Sequence, residues 1–147
     1  MYTSILVATD GSDLSYKAVT SGIDLAVLTG ARLTILKVVP RYAQTYFEGA
    51  IPVSMDDSAR IEQQWIDEGQ RVVDAYQSRA LEKGVKVQGV VVQSDLVDEG
   101  IIAAATQHNA DLIIMASHGR KGISRLLLGS ETQHVLTHSH TPVLILR

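Results

Sequence analysis

Five short apolar runs, separated by stretches with helical spacing, constrain this chain more than any other feature in it. The runs are Ile5-Leu6-Val7-Ala8, Leu33-Thr34-Ile35-Leu36 with Val38-Val39, Val85 to Val92, Leu112-Ile113-Ile114-Met115, and Val143-Leu144-Ile145-Leu146. Most are continuous rather than alternating, which is the pattern of strands covered on both faces. Between them, Ala18, Gly22, Leu25 and Thr29 share one helical face, with Gly30 as a stop. Ile61, Trp65, Gly69, Val72, Tyr76 and Ala80 recur at threes and fours ahead of Gly84, and Val97, Ile101, Ala104, Ala105 and His108 do the same. A shorter helix is expected from Ser130 to Thr137, with Ser130 and Gln133 in a capping-box pattern. Strict strand–helix alternation predicts an α/β domain, doubly wound, with a five-stranded parallel sheet and helices on both faces.

The length of 147 residues suits one domain, and 46% apolar content is enough to build a core. The chain has no cysteine, which excludes disulfides, thiolate zinc sites and cysteine nucleophiles. A net charge of −3 argues against a general nucleic-acid surface. The start, Met1-Tyr2-Thr3-Ser4 followed by a run that ends before Asp10, lacks the basic and longer apolar segments of a secretory signal. No stretch is long enough to span a bilayer. The expectation is a cytoplasmic protein with neither membrane nor nucleic acid as partner. The long stretch from Pro40 to Asp57 carries Tyr42, Tyr46, Phe47, Ile51 and Met55. It reads either as a flap packed on the sheet or as a lid or partner contact.

Open parallel sheets bind ligands beyond the carboxyl ends of their strands, where strand order reverses. That places Thr9 to Ser12, Val38 to Arg41, Gln93 to Asp95 and Ala116 to Gly122 at a candidate site. The segment after the fourth run is the most informative. It holds Gly119, Gly122 and Gly129, three cations (Arg120, Lys121 and Arg125) and no acid before Glu131, and it ends at the expected helix start, Gly129-Ser130. Glycines admit close backbone approach to an anion, and helix starts bind phosphate. The combination suggests an oligophosphate; the plainer reading is a solvated basic loop. Neither Gly-x-x-x-x-Gly-Lys-Ser/Thr nor Gly-x-Gly-x-x-Gly occurs.

Over essentially its whole length, from Ile5-Leu6-Val7-Ala8-Thr9-Asp10-Gly11-Ser12 to Thr141-Pro142-Val143-Leu144-Ile145, the chain resembles the universal stress protein family. The ATP-binding branch of that family carries Gly-x-x-Gly, nine residues, then Gly-Ser or Gly-Thr. Here the segment reads Ala116-Ser117-His118-Gly119, nine residues, Gly129-Ser130. The resemblance implies the adenine nucleotide alpha hydrolase-like, Rossmann-like version of the fold over residues 1–147. It also implies an ATP site, with or without Mg2+. Thr9 and Asp10 then lie at the nucleoside, with Ala8 beside them in the nucleotide-binding set, Val38 at the adenine, and Met115 and Ala116 at the ribose. Gly119, Gly129, Ser130 and the amides of Glu131 and Thr132 match the phosphate cradle, and Ser117, His118, Arg120 and Gly122 complete the expected nucleotide-binding set. Ala116 and Glu131 depart from the family pattern; an alanine is tolerated where φ is negative. The resemblance further implies a homodimer that pairs the last strand, Pro142 to Leu146, and an unnamed protein partner.

Individual residues carry competing roles. Asp10 either meets the nucleoside or a hydrated magnesium ion, or caps the first helix with Ser12 as rival. His118 contacts phosphate or bonds within its loop. His134, His138 and His140 form a metal set or, more simply, place His138 at a helix's negative end. Ser124 and Ser130 lack evident His-Asp support, and no nucleophile elbow occurs. The expected role is an ATP-dependent regulatory module and not a dedicated enzyme. The alternatives are a nucleotide-independent interaction module of the same fold and a slow ATPase. A phosphoryl-accepting receiver needs an acidic pair after strand one, an aspartate after strand three and a lysine after strand five, and only Asp10 and the poorly placed Asp95 are available.

Overall fold

The computed structural model describes residues 1–41, 55–119 and 128–147. The elements run β1 (Ser4–Ala8), α1 (Asp13–Thr29), β2 (Arg32–Val39), α2 (Met55–Glu82), β3 (Val87–Gln93), α3 (Val97–Gln107), β4 (Leu112–Ala116), α4 (Ser130–His138) and β5 (Val143–Leu146). Every strand pair is parallel, and the five strands lie in the order β3-β2-β1-β4-β5. The chain builds outward from β1 through β2 to β3, then crosses back to lay β4 on the other side of β1. The switch point therefore lies between β1 and β4.

Continuous apolar runs become a two-sided core because successive residues of a strand point to opposite faces. Ile5, Val7, Leu33, Ile35, Leu112 and Ile114 face α1 and α2, where Ala18, Val19, Ile23, Val73 and Ala80 meet them. Leu6, Leu36, Val38, Ile113 and Met115 face α3 and α4, against Ile101, Ala104, Ala105 and Val135. Each fully buried Leu, Ile or Val contributes about 1.5–3 kcal/mol by leaving water.

Helix α1 stops at Gly30, as its sequence suggests, with φ +71° and an amide bonded to Ala26 O. Two expectations need correction. Ser130 does not cap α4. Gly129 occupies the cap in an extended conformation (φ −60°, ψ 149°), so Ser130 is already helical and its hydroxyl is one position too late to form a capping box. The irregular stretch expected to reach Asp57 ends sooner, because α2 already includes residues 55–57. Tyr42, Tyr46, Phe47 and Ile51 lie outside the described residues. No helix among the described residues is long and apolar enough to cross a membrane.

Candidate functional site

Above the switch point, at the carboxyl ends of the strands, the molecule opens into a cavity of about 480 Å3. That volume is in the range of small-molecule sites. Its floor is Ala8, Thr9 and Asp10 from β1 and the following turn, with Met115 and Ala116 from the end of β4. Leu36, Val38, Val97 and Ile101 form an apolar wall, and His118, Gly119 and Gly129 to Thr132 close the polar side.

The turn after β1 is braced from within. Thr9 Oγ1 accepts from Gly11 N (3.1 Å) and bonds Ser15 Oγ (2.9 Å). Asp10 Oδ1 accepts from Ser12 N at 2.8 Å. Ser12 caps α1, its side chain accepting from Ser15 N. The two candidates for that cap are thus separated: Ser12 starts the helix, and Asp10 turns the chain and lines the cavity. On the far side of Thr9 stands Tyr76 of α2. Burial pushes its phenol above the ordinary value, and the Thr9 hydrogen bond lowers it without cancelling that rise. Tyr16 and Asp10 push the same way as burial, and Arg79 opposes. Tyr16 and Tyr76 meet at a tilt of 41° with ring centroids 6.2 Å apart, and Arg79 lies 5.0 Å over the Tyr16 ring.

The polar side depends on close backbone approach. A side chain on Gly119 would bring its Cβ to 3.0 Å from Asp10 Oδ2, and one on Gly129 would sit 3.3 Å from His118 Cα. Gly129 N donates to Ser117 O at 2.8 Å, which ties the start of α4 to the end of β4. Thr132 reinforces the tie, its buried Oγ1 donating to Ala116 O at 3.0 Å. The first bond within α4 runs from Gln133 N to Gly129 O. The amides of the first turn therefore have no acceptor in the helix itself, and this end carries about half a positive charge. It borders the cavity, so an anion seated there meets both the amides and the dipole.

The structure brings most of the expected site residues together. Ala8, Thr9, Asp10, Val38, Met115, Ala116, His118, Gly119, Gly129, Ser130, Glu131 and Thr132 all line the cavity. Ser117 does not: it is buried behind the wall, with its amide on Leu146 O and its hydroxyl on His118 Nδ1. That bond makes His118 at once a loop-braced ring and a lining residue. Arg120 and Gly122, with Lys121, Ser124 and Arg125, lie outside the described residues. Ala116 is conformationally at ease, since Asn109 is the one non-glycine residue with positive φ among the described residues. His134 pairs with Asp98 across α3 and α4, and the His138 ring lies 3.9 Å from that of His134. His138 Nδ1 donates to His134 O, at the negative end of the helix. No group of three metal-ligating side chains assembles among the described residues.

Sequence reasoning missed Ser15, Leu36, Lys37, Val97 and Ile101, which also line the cavity. Lys37 had a signal: it is the one charged residue between Leu33 and Val39 of a strand buried on both faces. Its Nζ donates to Asp10 O at 3.1 Å, placing a cation beside the turn after β1.

Comparison with known proteins gives the family and the same fold. The Universal stress protein family profile matches residues 1–147. The chain belongs to the universal stress protein family. It is 32% identical to universal stress protein YxiE of Bacillus subtilis, over the full length of both chains. The solved structure of MJ0577 from Methanocaldococcus jannaschii superposes with a TM-score of 0.84 at 26% identity, covering 99% of this chain and 96% of that one. A universal stress protein solved in complex with cAMP superposes with a TM-score of 0.66 at 26% identity, covering 99% and 97%.

Proposed function

We propose that this universal stress protein binds an adenine nucleotide, ATP in the first instance, with or without Mg2+, in the cavity above β1 and β4. The base lies against Val38 and Ile101, the ribose over Met115 and Ala116, and the phosphates at the start of α4. The observation that carries this reading is the division of one cavity into an apolar wall and a helix start. An adenine and a polyphosphate need those two surfaces side by side. The cAMP complex of a relative with the same fold supports it.

The protein acts as a cytoplasmic regulatory module and not as a dedicated enzyme. It forms a homodimer that pairs β5, an edge strand whose Leu144 is 42% exposed. Isothermal titration with ATP, ADP, AMP and cAMP tests the binding. The expected result is saturable heat that weakens in Ser130→Ala. Hydrolysis at several turnovers per second would overturn the non-enzymatic role, and a monomer by light scattering would overturn the dimer.

A second reading has its own support. The carboxylates of Asp10 and Glu131 and the methyl of Ala116 share the cavity with the helix start. Like charge disfavours a phosphate and suits a nucleotide-independent interaction module. No heat with millimolar ATP, the dimer remaining intact, selects that reading.

A further inference from the structure

The opposite end of the sheet holds a second cavity, of about 380 Å3, whose lining includes Ser4, Arg32, Thr34, Lys86, Gln88 and His108 and no acidic residue. Its origin is legible in the strand alternation. On the face covered by α3 and α4, the upper parts of β2 and β3 present Leu36, Val38, Val90 and Val92 to the core. Earlier in the same alternation, that face carries Arg32 and Thr34 on β2 and Lys86 and Gln88 at β3. Helix α3 stops at Gln107 and is capped by His108, so it leaves these strand starts uncovered. An apolar face has become a polar groove with two cations at its rim.

The groove is organised. Gln88 Nε2 donates to Thr34 Oγ1 and to His108 Nδ1, both at 3.0 Å, which puts the neutral ring's proton on Nε2 as a further donor. Ser4 Oγ donates to His108 O. The negative end of α3 points here, but its last carbonyls are taken: Ala104 O by His108 N, Ala105 O by Ala110 N, and Thr106 O by Asn109 N. Asp111, beyond that turn, accepts from Thr3 N, Thr3 Oγ1 and Ser4 N. Arg32 and Lys86 are exposed, and neither side chain has a hydrogen bond or ion pair among the described residues. Two full positive charges outweigh the roughly half negative charge of a helix end.

We propose that this groove is a second ligand site, taking a phosphate-sized oxyanion between Arg32 and Lys86 with His108 Nε2–H as a third donor. Arginine supplies the fork that suits two oxygens of one anion, and lysine the point charge. The ligand class is a small phosphorylated molecule or free phosphate. The site lies at the far end of the sheet from the nucleotide cavity and does not depend on that cavity being filled.

The test is a 1H–15N NMR titration of the full chain with inorganic phosphate, with sodium chloride adjusted to hold ionic strength constant. Saturable shifts are expected at Arg32, Lys86, Gln88 and residues 107–109, whether or not amides 129–132 also move. Arg32→Gln and Lys86→Gln, both at exposed positions, should each weaken the apparent affinity at this end at least about fivefold, with the remaining spectrum unchanged. A small phosphate ester that binds tighter than inorganic phosphate identifies the first source; equal affinity identifies the second. Linear, non-saturating shifts, shifts confined to residues 129–132, or affinity untouched by both substitutions would overturn the proposal.

Discussion

The two ends of this sheet are built from the same strands and could hardly be more different chemically. At the carboxyl end, a ligand would meet backbone: the turn after β1, the close approach of Gly119 to Asp10, and the start of α4. At the amino end it would meet side chains, because the helices arrive there by their negative ends and the lining's cations are Arg32 and Lys86. The parallel α/β layout imposes this polarity, since a helix that follows a strand begins at that strand's carboxyl end. Obstructing the backbone should therefore be most damaging at the upper end, and removing side-chain charge most damaging at the lower.

The sharpest way to break the comparison is Gly119→Asp. It sets a second carboxylate against Asp10 Oδ2 and in the path proposed for the phosphates. Like charges at about 4 Å, at an effective dielectric constant near 20, cost roughly 4 kcal/mol. ATP affinity by isothermal titration should fall at least about a hundredfold, while the amino-end phosphate shifts persist. An equal loss at both ends would show that the two regions are not independent. Next in size is Thr132→Val, which keeps the volume but strands the buried Ala116 carbonyl. Stability in urea should drop by about 1–3 kcal/mol, the cost of a buried acceptor left unsatisfied.

Asp111→Asn probes the lower end through its pH dependence. Burial pushes the Asp111 carboxyl up, but hydrogen bonds from Thr3 N, Ser4 N and the Thr3 hydroxyl outweigh it, and the net value lies below the ordinary one. A group depressed in the folded state adds stability above its unfolded pKa, and that stability is lost as the pH falls through the folded value. The wild-type chain should weaken on acidification below the ordinary carboxylate range more steeply than Asp111→Asn. At neutral pH the variant should lose about 1 kcal/mol, because the group is partly solvated. The smallest effect is expected from Ala116→Gly. With no left-handed strain to relieve, ATP affinity should stay within about threefold, and a larger gain would mean that the methyl crowds the ribose.

The difference between the ends also explains what could be read in advance. The elements were legible because runs such as Ile5 to Ala8 and Leu112 to Met115 are continuously apolar and rich in Val, Ile and Leu, and Gly30 and Gly84 punctuate the helices. The upper site was legible for a local reason: much of its polar side is one stretch of chain, Ala116 to Thr132. The starting residue of α4 was not, since Gly129 and Ser130 are both acceptable caps and only the extended backbone of Gly129 decides between them. Val97 and Ile101 escaped because their part in the cavity comes from packing between elements. The lower groove is the extreme case. Ser4, Arg32, Lys86 and His108 are far apart in the chain, carry no motif, and meet only because α3 ends where it does.

Strand β1 occupies the middle of the sheet, paired with β2 on one side and β4 on the other, and Ile5, Leu6 and Val7 are fully enclosed. Amide protons there can trade with deuterium only when the entire domain opens, so they set the slow limit of exchange for the molecule. The base of the upper cavity therefore lasts as long as the folded state does, and any adaptation to an arriving molecule must come from its walls.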